Sequence, residues 1–289
     1  MNKDPFIVPP GTKISLKKDY SPGYTGNYIN KTDVEGILEQ DIQRLAKFQD
    51  VLYAQNTYAL LIIFQAMDAA GKDSTIKQVM SGVNPQGCQV YSFKSPSEEE
   101  LDHDYLWRSV KALPERGRMG IFNRSYYEEV LIVRVHPELL KGQRLPDFDI
   151  TKIWRQRFEE INNFEKYLVN NGIIILKFFL NISKEEQKKR FLKRIETPEK
   201  NWKFSKSDVL ERHFWDDYIQ AYEDVFNSTS TKWAPWYIIP ADHKWFTRLV
   251  VADIICEKLA TLNLKYPSLG EEHQQELLKA QVMLQSEKQ

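Results

Sequence analysis

The sequence predicts an α/β fold in which a parallel five-stranded sheet is flanked by helices. Short apolar runs, most of them unbroken, are the first indication, because strands buried on both faces of a parallel sheet lack polar alternation. Segments with helical periodicity separate these runs, as expected for the crossovers between parallel strands. The predicted strands are residues 60–64, 87–93, 119–122, 173–180 and 236–240.

Composition limits the class of protein. The 289 residues are 42% hydrophobic, which suffices for one large α/β domain. The 40 basic and 40 acidic side chains give a formal net charge of zero, so no nucleic-acid partner is expected. Cys88 and Cys256 fit no metal spacing. Residues 1–20 lack a signal-peptide core and no apolar run approaches ~18 residues, so we expect a soluble cytoplasmic protein without a membrane partner.

The chain is predicted to consist of an arm and one domain. Prolines and glycines mark residues 1–30 as an extended arm that lies on the body of the protein or on a neighbouring subunit. Residues 31–289 are expected to form a single P-loop kinase-like domain, with a lid insert at about residues 184–215.

Helices are predicted around these strands from caps and apolar spacing. Thr32 and Glu35 have the pattern of a capping box at the start of the first helix. Asp242 is predicted to cap the last core helix. Other predicted helices cover residues 97–112 and 151–171 and a surface segment after residue 266.

A phosphate-binding loop is predicted after the first strand. Small residues are followed by Gly71, Lys72 and a segment with helical character. In such a loop the backbone N–H groups and the helix N-terminus face the anion, and the lysine adds a charge. The other interpretation is a plain strand-to-helix turn with an exposed lysine. In the first interpretation the phosphate-binding residues beside Lys72 are Ala69, Ala70, Gly71, Asp73 and Ser74.

This loop departs from the usual Gly-x-x-x-x-Gly-Lys-Ser/Thr pattern at two positions. Ala66 replaces the first glycine, and Asp73 stands where a hydroxyl residue contacts magnesium. Asp68 is open to two interpretations, since aspartate is also common in turns, where it bonds nearby backbone N–H groups. Because Lys72 is close in sequence, we favour a role for Asp68 in holding Mg²⁺ or orienting the attacking oxygen.

Polar residues follow the third predicted strand. Asn123 and Arg124 lie at its carboxyl end, where open α/β sheets bind ligands, and Arg124 is favoured as a phosphate ligand. Ser125 begins a helix with Glu128 at its third position, which is the pattern of a capping box. Glu128 either caps this helix only or faces the phosphates, and the residues alone favour capping.

A basic segment follows the fourth predicted strand. Ser183 and Glu186 cap a helix in which Arg190, Lys193 and Arg194 share one face. This position after the fourth strand is where P-loop kinases carry a lid. The segment is either a solvated basic face or a lid that faces an anion, and the lid is favoured because residues 188–194 contain no acidic partner. Further basic residues are Lys188, Lys189, Lys200, Lys203, Lys206 and Arg212.

Five motifs are together far more specific than the phosphate loop alone. They are Ala-Met-Asp-Ala-Ala-Gly-Lys-Asp-Ser at 66–74, Ser-Gly-Val-Asn-Pro-Gln-Gly at 81–87, Gly-Ile-Phe-Asn-Arg-Ser-Tyr-Tyr-Glu-Glu at 120–129, Arg-Val-His-Pro-Glu at 134–138 and Pro-Glu-Lys-Asn-Trp-Lys at 198–203. With these motifs the chain resembles the polyphosphate kinase 2 family over residues 10–262. The resemblance implies a P-loop kinase core with a helical lid. It also implies transfer of the terminal phosphate of inorganic polyphosphate to a nucleotide with Mg²⁺, or Mn²⁺ in its place.

The same resemblance assigns roles to individual residues. Asp68 and Lys72 are implied to be catalytic, and Asn123 and Arg124 form a second catalytic strand end. Many members carry aspartate where this chain has Asn123, so Glu128 would replace the missing carboxylate. Asn123 with Glu128 resembles the subgroup that acts on nucleoside mono- and diphosphates. AMP and ADP, and guanine nucleotides beside them, are the expected acceptors, and a homo-oligomer (dimer or tetramer) is expected.

Charge neutralisation is the expected mechanism, since phosphoryl transfer places two anions together. Lys72 and the loop N–H groups would hold the phosphate, and Asp68 with Glu128 or Asp73 would place the metal. The phosphates would be neutralised by Arg118, Arg124 and Arg134. The lid residues that would follow the polymer are Lys189, Arg190, Lys193, Arg194 and Lys203.

Two rival functions remain open at this point. An ATP-dependent nucleotide kinase of the thymidylate-kinase kind has the same core and lid. A non-catalytic polyphosphate- or nucleotide-binding module is favoured by the altered loop residues Ala66 and Asp73 and by Asn123.

Overall fold

Within residues 3–146 and 148–287, which the computed structural model describes, the chain forms one sheet of five parallel strands. The predicted fold class is therefore confirmed. The strand order is β2-β3-β1-β4-β5, so the first strand lies in the centre. The bounds are β1 (Ala59–Ala66), β2 (Cys88–Ser92), β3 (Met119–Asn123), β4 (Ile173–Asn181) and β5 (Trp236–Pro240).

The register of the sheet brings three loops to one edge. All eight residues of β1 are buried, as its unbroken apolar run predicts. Phe64 near the end of β1 is paired with Asn123 at the end of β3 and with Phe178 in β4. Because parallel strands end at the same edge, the loops after these strands lie side by side.

Helices cover the sheet in two groups. One group contains α11 packed against α2 and α3, and the other contains α10 packed against α6 and α7. The α-helices are α1 (Leu16–Asp19), α2 (Glu35–Gln55), α3 (Lys72–Val79), α4 (Glu98–Leu101), α5 (Trp107–Lys111), α6 (Ile132–Val135), α7 (Ile153–Asn170), α8 (Lys184–Ile195), α9 (Lys206–Leu210), α10 (Trp215–Thr229), α11 (Lys244–Ala260) and α12 (Glu271–Ser286). Short 3₁₀ helices cover Lys31–Asp33, Pro85–Gly87, Tyr126–Val130, Pro137–Gln143, Pro198–Lys203 and Glu211–Phe214.

The predicted cap of the first long helix is wrong. Asn30 and Asp33 form a reciprocal capping box on the short 3₁₀ helix that precedes α2. Thr32 donates its hydroxyl to the Asn30 side chain, and α2 then begins without a side-chain cap. The box lies earlier than predicted because the chain enters α2 through a 3₁₀ turn, and the box caps the start of that turn.

Two other helix predictions need correction. The helix predicted over residues 97–112 is divided into α4 and α5, and the Asp104 side chain accepts from the Leu106 N–H at 2.9 Å in the turn between them. Asp242 does not cap α11. Its Oδ1 accepts from the Ser183 N–H at 2.8 Å instead and so joins the end of β5 to the start of α8.

The N-terminal arm lies on the body of its own chain. The Val8 N–H donates to the Trp236 carbonyl at 2.9 Å, and the Ile238 N–H donates to the Phe6 carbonyl at 2.7 Å. Ile7 thereby forms an antiparallel bridge to β5. The arm covers the outer edge of β5, which would otherwise expose unpaired backbone groups.

The last helix, α12, is exposed along its whole length, as predicted for a surface helix. Across the part of the chain that is described, every helix is too short or too polar to span a membrane.

A buried ion pair joins the sheet to the helices. Lys177 of β4 and Glu165 of α7 have fully buried side chains, and Nζ lies 2.7 Å from Oε2. Nζ also donates to the Tyr127 hydroxyl at 2.9 Å and to the Thr229 carbonyl at 2.8 Å. Burial lowers the pKa of Lys177, while the Glu165 carboxylate opposes this shift. These bonds satisfy an ammonium group that would otherwise be costly to bury.

Lys177→Met should therefore destabilise the fold strongly. It leaves the Glu165 carboxylate buried without its cation, so the free energy of unfolding should fall by about 3–5 kcal/mol in denaturant titrations. The matched exposed substitution Lys47→Met on α2 should change it by less than about 0.5 kcal/mol. A loss below about 1 kcal/mol for Lys177→Met would contradict the role of the pair.

Candidate active site

The loop between β1 and α3 has the backbone of a phosphate-binding turn. Gly71 has a φ of +108°, a conformation that favours glycine, and precedes the first residue of α3. The Ser74 hydroxyl donates to the Gly71 carbonyl at 2.9 Å and fixes the turn, while Ala69 also has a positive φ of 61°. Because the first N–H groups of an α-helix lack partners within the helix, the start of α3 can bind an anion.

Lys72 is folded back over this loop. Its side chain is half-buried, and Nζ donates to the Ala66 carbonyl at 3.1 Å. Burial and the nearby Arg124 lower the pKa of Lys72, whereas the carboxylates of Asp68, Glu128 and Asp73 oppose the shift. The interpretation of an exposed lysine is wrong, because Lys72 lies within the electrostatic reach of three carboxylates and a second cation.

Arg124 binds two carboxylates. We call the three residues Asp68, Arg124 and Glu128 the carboxylate triad, after the two carboxylates that share this one guanidinium. Nη2 lies 2.9 Å from Asp68 Oδ1, and Nη1 lies 3.2 Å from Glu128 Oε2. The Glu128 and Asp68 carboxylates raise the pKa of Arg124, against the effect of its burial. Arg124 has a φ of +64°, which departs from the extended direction of β3. The triad joins the loops that follow β1 and β3.

The predicted capping role of Glu128 is wrong. Ser125 does cap the 3₁₀ helix that follows β3, since its hydroxyl accepts from the Tyr127 N–H at 3.1 Å. The Glu128 carboxylate, however, is bonded to Arg124 and not to the Ser125 N–H. Glu128 therefore faces the candidate site.

Asn123 joins the third strand to the phosphate loop. Its Nδ2 donates to Asp73 Oδ1 at 2.8 Å and lies 3.5 Å from the Ser92 hydroxyl at the end of β2. A carboxylate at position 123 would meet the Asp73 carboxylate at the same distance and repel it. The amide is therefore matched to the aspartate that replaces the usual hydroxyl residue of the loop.

The basic helix α8 contacts the loop through Arg190. The guanidinium donates to the carbonyls of Ala69 and Ala70 at 3.2 and 2.7 Å, and to those of Ala241 and Asp242 at 2.6 and 3.1 Å. Its Nε also bonds Glu186 at 2.8 Å. Arg190 thus fastens the start of the lid segment to the phosphate loop, and it does not present its guanidinium to a polymer as predicted.

The other predicted lid cations lie farther along the segment. Lys189 and Lys193 are exposed, and the half-buried Arg194 lies 3.5 Å from Asp208 of α9. Burial raises the pKa of Asp208, as does the charge of the nearby Asp68. The side chain of Lys203 falls outside the described residues.

Two of the predicted phosphate ligands lie elsewhere. Arg118 precedes β3, so it lies at the amino edge of the sheet, over the Tyr53 ring and 3.7 Å from Glu115. Its assignment to the site is wrong because ligands of a parallel sheet bind at the carboxyl edge. Arg134 is bonded to Asp224 of α10 instead of facing the phosphate loop.

Sequence reasoning missed two residues that connect the lid to the site. Gln187 is buried, and its Nε2 donates to the Asp68 carbonyl at 3.0 Å. Arg212 donates to the Gln187 side chain and to the Lys184 carbonyl. The signal in the sequence was the position of Gln187, four residues before Phe191 and so on the apolar face of an otherwise basic helix.

The triad carboxylates fit a magnesium site that is completed by substrate. Within the described ranges, no three His, Cys, Asp or Glu side chains converge on one point. Magnesium is usually held by one or two carboxylates together with phosphate oxygens and water. Asp68 and Glu128 converge on a single cationic group at 2.9 and 3.2 Å, so their oxygens are already arranged around positive charge.

Comparison with known proteins identifies the family of this chain. The family model for polyphosphate kinase 2 matches residues 28–267. An ADP-polyphosphate phosphotransferase of Rhodopseudomonas palustris is 50% identical over 96% of this chain and 97% of its own length. An AMP/ADP-polyphosphate phosphotransferase of Meiothermus ruber is 42% identical over 91% and 94%. The crystal structure of polyphosphate kinase 2 from Arthrobacter aurescens TC1 has a TM-score of 0.84 and 39% identity, over 93% of this chain and 94% of its own. With two thirds or more of the chain matched in every case, the chain belongs to the polyphosphate kinase 2 family.

Proposed function

We propose that this protein transfers the terminal phosphate of inorganic polyphosphate to AMP and ADP, and to the guanine nucleotides beside them. The carboxylate triad above the phosphate loop supports this proposal most strongly, because it collects the charged groups that phosphoryl transfer between two polyanions requires. The names of the relatives from Rhodopseudomonas palustris and Meiothermus ruber add support for adenine nucleotides as acceptors.

The reaction needs alignment and charge neutralisation more than covalent chemistry. A phosphate oxygen of the nucleotide attacks the terminal phosphorus of the polymer. The bond from that phosphorus to its bridging oxygen breaks, and the polymer leaves one phosphate shorter. Lys72 and the N–H groups of α3 hold the transferred group, and Arg124 neutralises charge as it moves between the two chains. Polyanions bound at Lys72 would offset the burial that lowers its pKa.

We further propose a divalent cation, Mg²⁺ or Mn²⁺ in its place, held by Asp68 and Glu128 together with phosphate oxygens. Such an ion would neutralise the phosphates and supply Lewis-acid polarisation. Asp73 is a less suitable ligand, because its carboxylate already accepts from the Asn123 amide.

Residues 184–215 are proposed to act as the lid over the polymer. Arg190 anchors the segment, while Lys189, Lys193 and Arg194 are proposed to face the polyanion. A cavity of only about 60 Å³ lies beneath it, between Asp68 and α9, so polymer binding would require this segment to move.

Asp68→Ala and Lys72→Ala should each lower kcat by at least about a hundredfold, or about 2.7 kcal/mol of transition-state stabilisation. The reason is that each removes one charge of the site. The assay measures ADP and ATP formed from AMP, Mg²⁺ and long-chain polyphosphate without added ATP. Asp50→Ala, an exposed change on α2, is the matched control and should keep full activity.

The same assay separates the rival functions. If wild-type protein forms no product from polyphosphate but phosphorylates a nucleoside monophosphate with ATP, it is an ATP-dependent nucleotide kinase. If it binds polyphosphate or nucleotide and Asp68→Ala leaves that binding intact, with no turnover in either protein, it is a binding module.

Arg194→Ala should weaken polymer binding selectively. Loss of one charge-assisted hydrogen bond should raise KM for polyphosphate about tenfold and leave KM for ADP within about twofold. Initial rates with each substrate varied in turn give both constants. Arg155→Ala, which removes an exposed arginine of α7, is the control. Equal increases in both constants would exclude a lid that contacts the polymer alone.

Association into a dimer or tetramer is also proposed. The exposed apolar side chains of α12 support it, since such patches usually mark contact surfaces. They are Leu277, Leu278, Val282, Met283 and Leu284. Light scattering should give two or four times the chain mass of 34.1 kDa, and a particle of one chain mass would contradict this.

A further inference from the structure

Gln65 is a polar residue in a strand whose other residues are all apolar. It is the penultimate residue of β1, in the centre of the sheet, and its side chain is fully buried. Within the residues that the structure describes, its Oε1 accepts no hydrogen bond. A buried amide oxygen without a partner costs free energy, so an apolar side chain of the same size would stabilise the strand better. The packing of the sheet therefore does not explain the amide at position 65.

The nitrogen of this amide holds the residue that follows Arg124. Gln65 Nε2 donates to Ser125 Oγ at 3.1 Å, and both side chains are fully buried. The Ser125 hydroxyl also accepts from the Tyr127 N–H at 3.1 Å, so it is held from two sides. Ser125 thereby joins the start of the 3₁₀ helix after β3 to the central strand.

Two bonds to β1 fix the backbone around Arg124. Its own N–H donates to the Phe64 carbonyl at 3.0 Å, and the next residue, Ser125, is bonded to Gln65. Between these two bonds Arg124 has a φ of +64°. This conformation has a steric cost for any residue except glycine, and it persists only where the surrounding structure imposes it. The bonds from Phe64 and Gln65 supply this constraint.

The backbone of Arg124 matters because its guanidinium bridges the carboxylate triad. It reaches Asp68 at 2.9 Å and Glu128 at 3.2 Å, on two different loops. Groups that act on a transferred phosphate need accurate placement, since a misplacement of about 1 Å can cost about a hundredfold in rate. A change of backbone direction at Arg124 would move its guanidinium relative to both loops. Whatever fixes this backbone therefore also fixes the cation of the site.

We propose that Gln65 is a positioning residue for the transfer reaction and acts through Ser125. Its amide holds Ser125, and Ser125 holds the left-handed backbone of Arg124, which then meets the transferred phosphate together with Lys72. Gln65 touches neither substrate, because its side chain is fully buried. The proposal rests on the proposed function, since it assigns Gln65 a share in the rate of that reaction.

Gln65→Met separates positioning from a contribution to stability. It keeps the length of the side chain and removes both the donor and the unpartnered oxygen, while the Ser125 hydroxyl keeps its bond from the Tyr127 N–H. Initial rates with ADP and polyphosphate should show kcat lowered about tenfold and each KM within about twofold of wild type. Urea titration should show an unfolding midpoint that is unchanged or higher.

Gln49→Met is the matched control. Gln49 is also buried, and its Oε1 accepts from the Asn84 N–H at 3.2 Å. This bond lies near the amino end of β2, at the edge of the sheet opposite the triad. The same substitution there should give the reverse result, with a lower urea midpoint and kcat within about twofold of wild type.

A double-mutant cycle tests whether Gln65 acts through Ser125. Ser125→Ala removes the acceptor, so adding Gln65→Met to it should change kcat by less than about twofold. Ser125→Ala also removes the cap of the 3₁₀ helix, so its urea midpoint should be lower. If Gln65→Met does not fold, Gln65→Ala, which adds no volume, takes its place and should show the same loss of kcat.

A crystal structure of Gln65→Met gives a readout that does not depend on the reaction. The Arg124 guanidinium should have lost its bond to Asp68 or to Glu128. The proposal is overturned if the folded variant keeps kcat within about twofold of wild type, if the two single losses multiply in the double variant, or if the triad is unchanged. Absence of any polyphosphate-dependent product from wild-type protein would refute the proposed function, whereas the crystal structure would still test the placement of Arg124.

Discussion

The Arg124 guanidinium holds together two loops that would otherwise repel each other. Asp68 follows β1 and Glu128 follows β3, and both carboxylates lie within 3.2 Å of the same cation. Two carboxylates brought this close without a cation would repel each other. Arg124 therefore allows both to lie beside Lys72. In the proposed reaction the same two carboxylates would face a metal ion bound to phosphate. They are suited to this because they already compensate the positive charge of Arg124.

The predicted lid segment is coupled to this site through backbone carbonyls. The Arg190 guanidinium is bonded to the carbonyls of Ala69 and Ala70 and to two carbonyls after β5. Gln187 adds a bond to the Asp68 carbonyl. Lifting the start of α8 would leave these carbonyls without their protein partners, which is costly. Motion that admits a polymer should therefore occur beyond Arg190, where Lys193 and Arg194 lie.

The strands and the phosphate loop were predictable because local sequence determines them. The unbroken apolar run of β1 and the Gly71-Lys72 pair need no distant partner to be recognised. The residues alone favoured capping for Glu128 because it lies three residues after Ser125, whereas its ion pair with Arg124, four residues before it, is visible only in the structure. Arg190 was misassigned because every partner except Glu186 is a backbone carbonyl, which carries no sequence signature. The error at Arg118 was avoidable, since a residue before a parallel strand lies at the edge opposite to the ligands.

Charge is divided across the phosphate loop in a way that suits two different polyanions. Cations are concentrated on the predicted lid segment, whereas four carboxylates line the cavity enclosed by α4, α5 and the start of α7, namely Glu100, Asp104, Glu129 and Glu160. A long polymer gains from every cation along its length, while a nucleotide needs cations only at its phosphates and apolar surface for its base. The Asn123–Asp73 pair lies at the boundary between the two sides, and an amide there separates them without adding a further negative charge. In the proposed reaction the two substrates would then meet at Lys72 with their remaining charges directed apart.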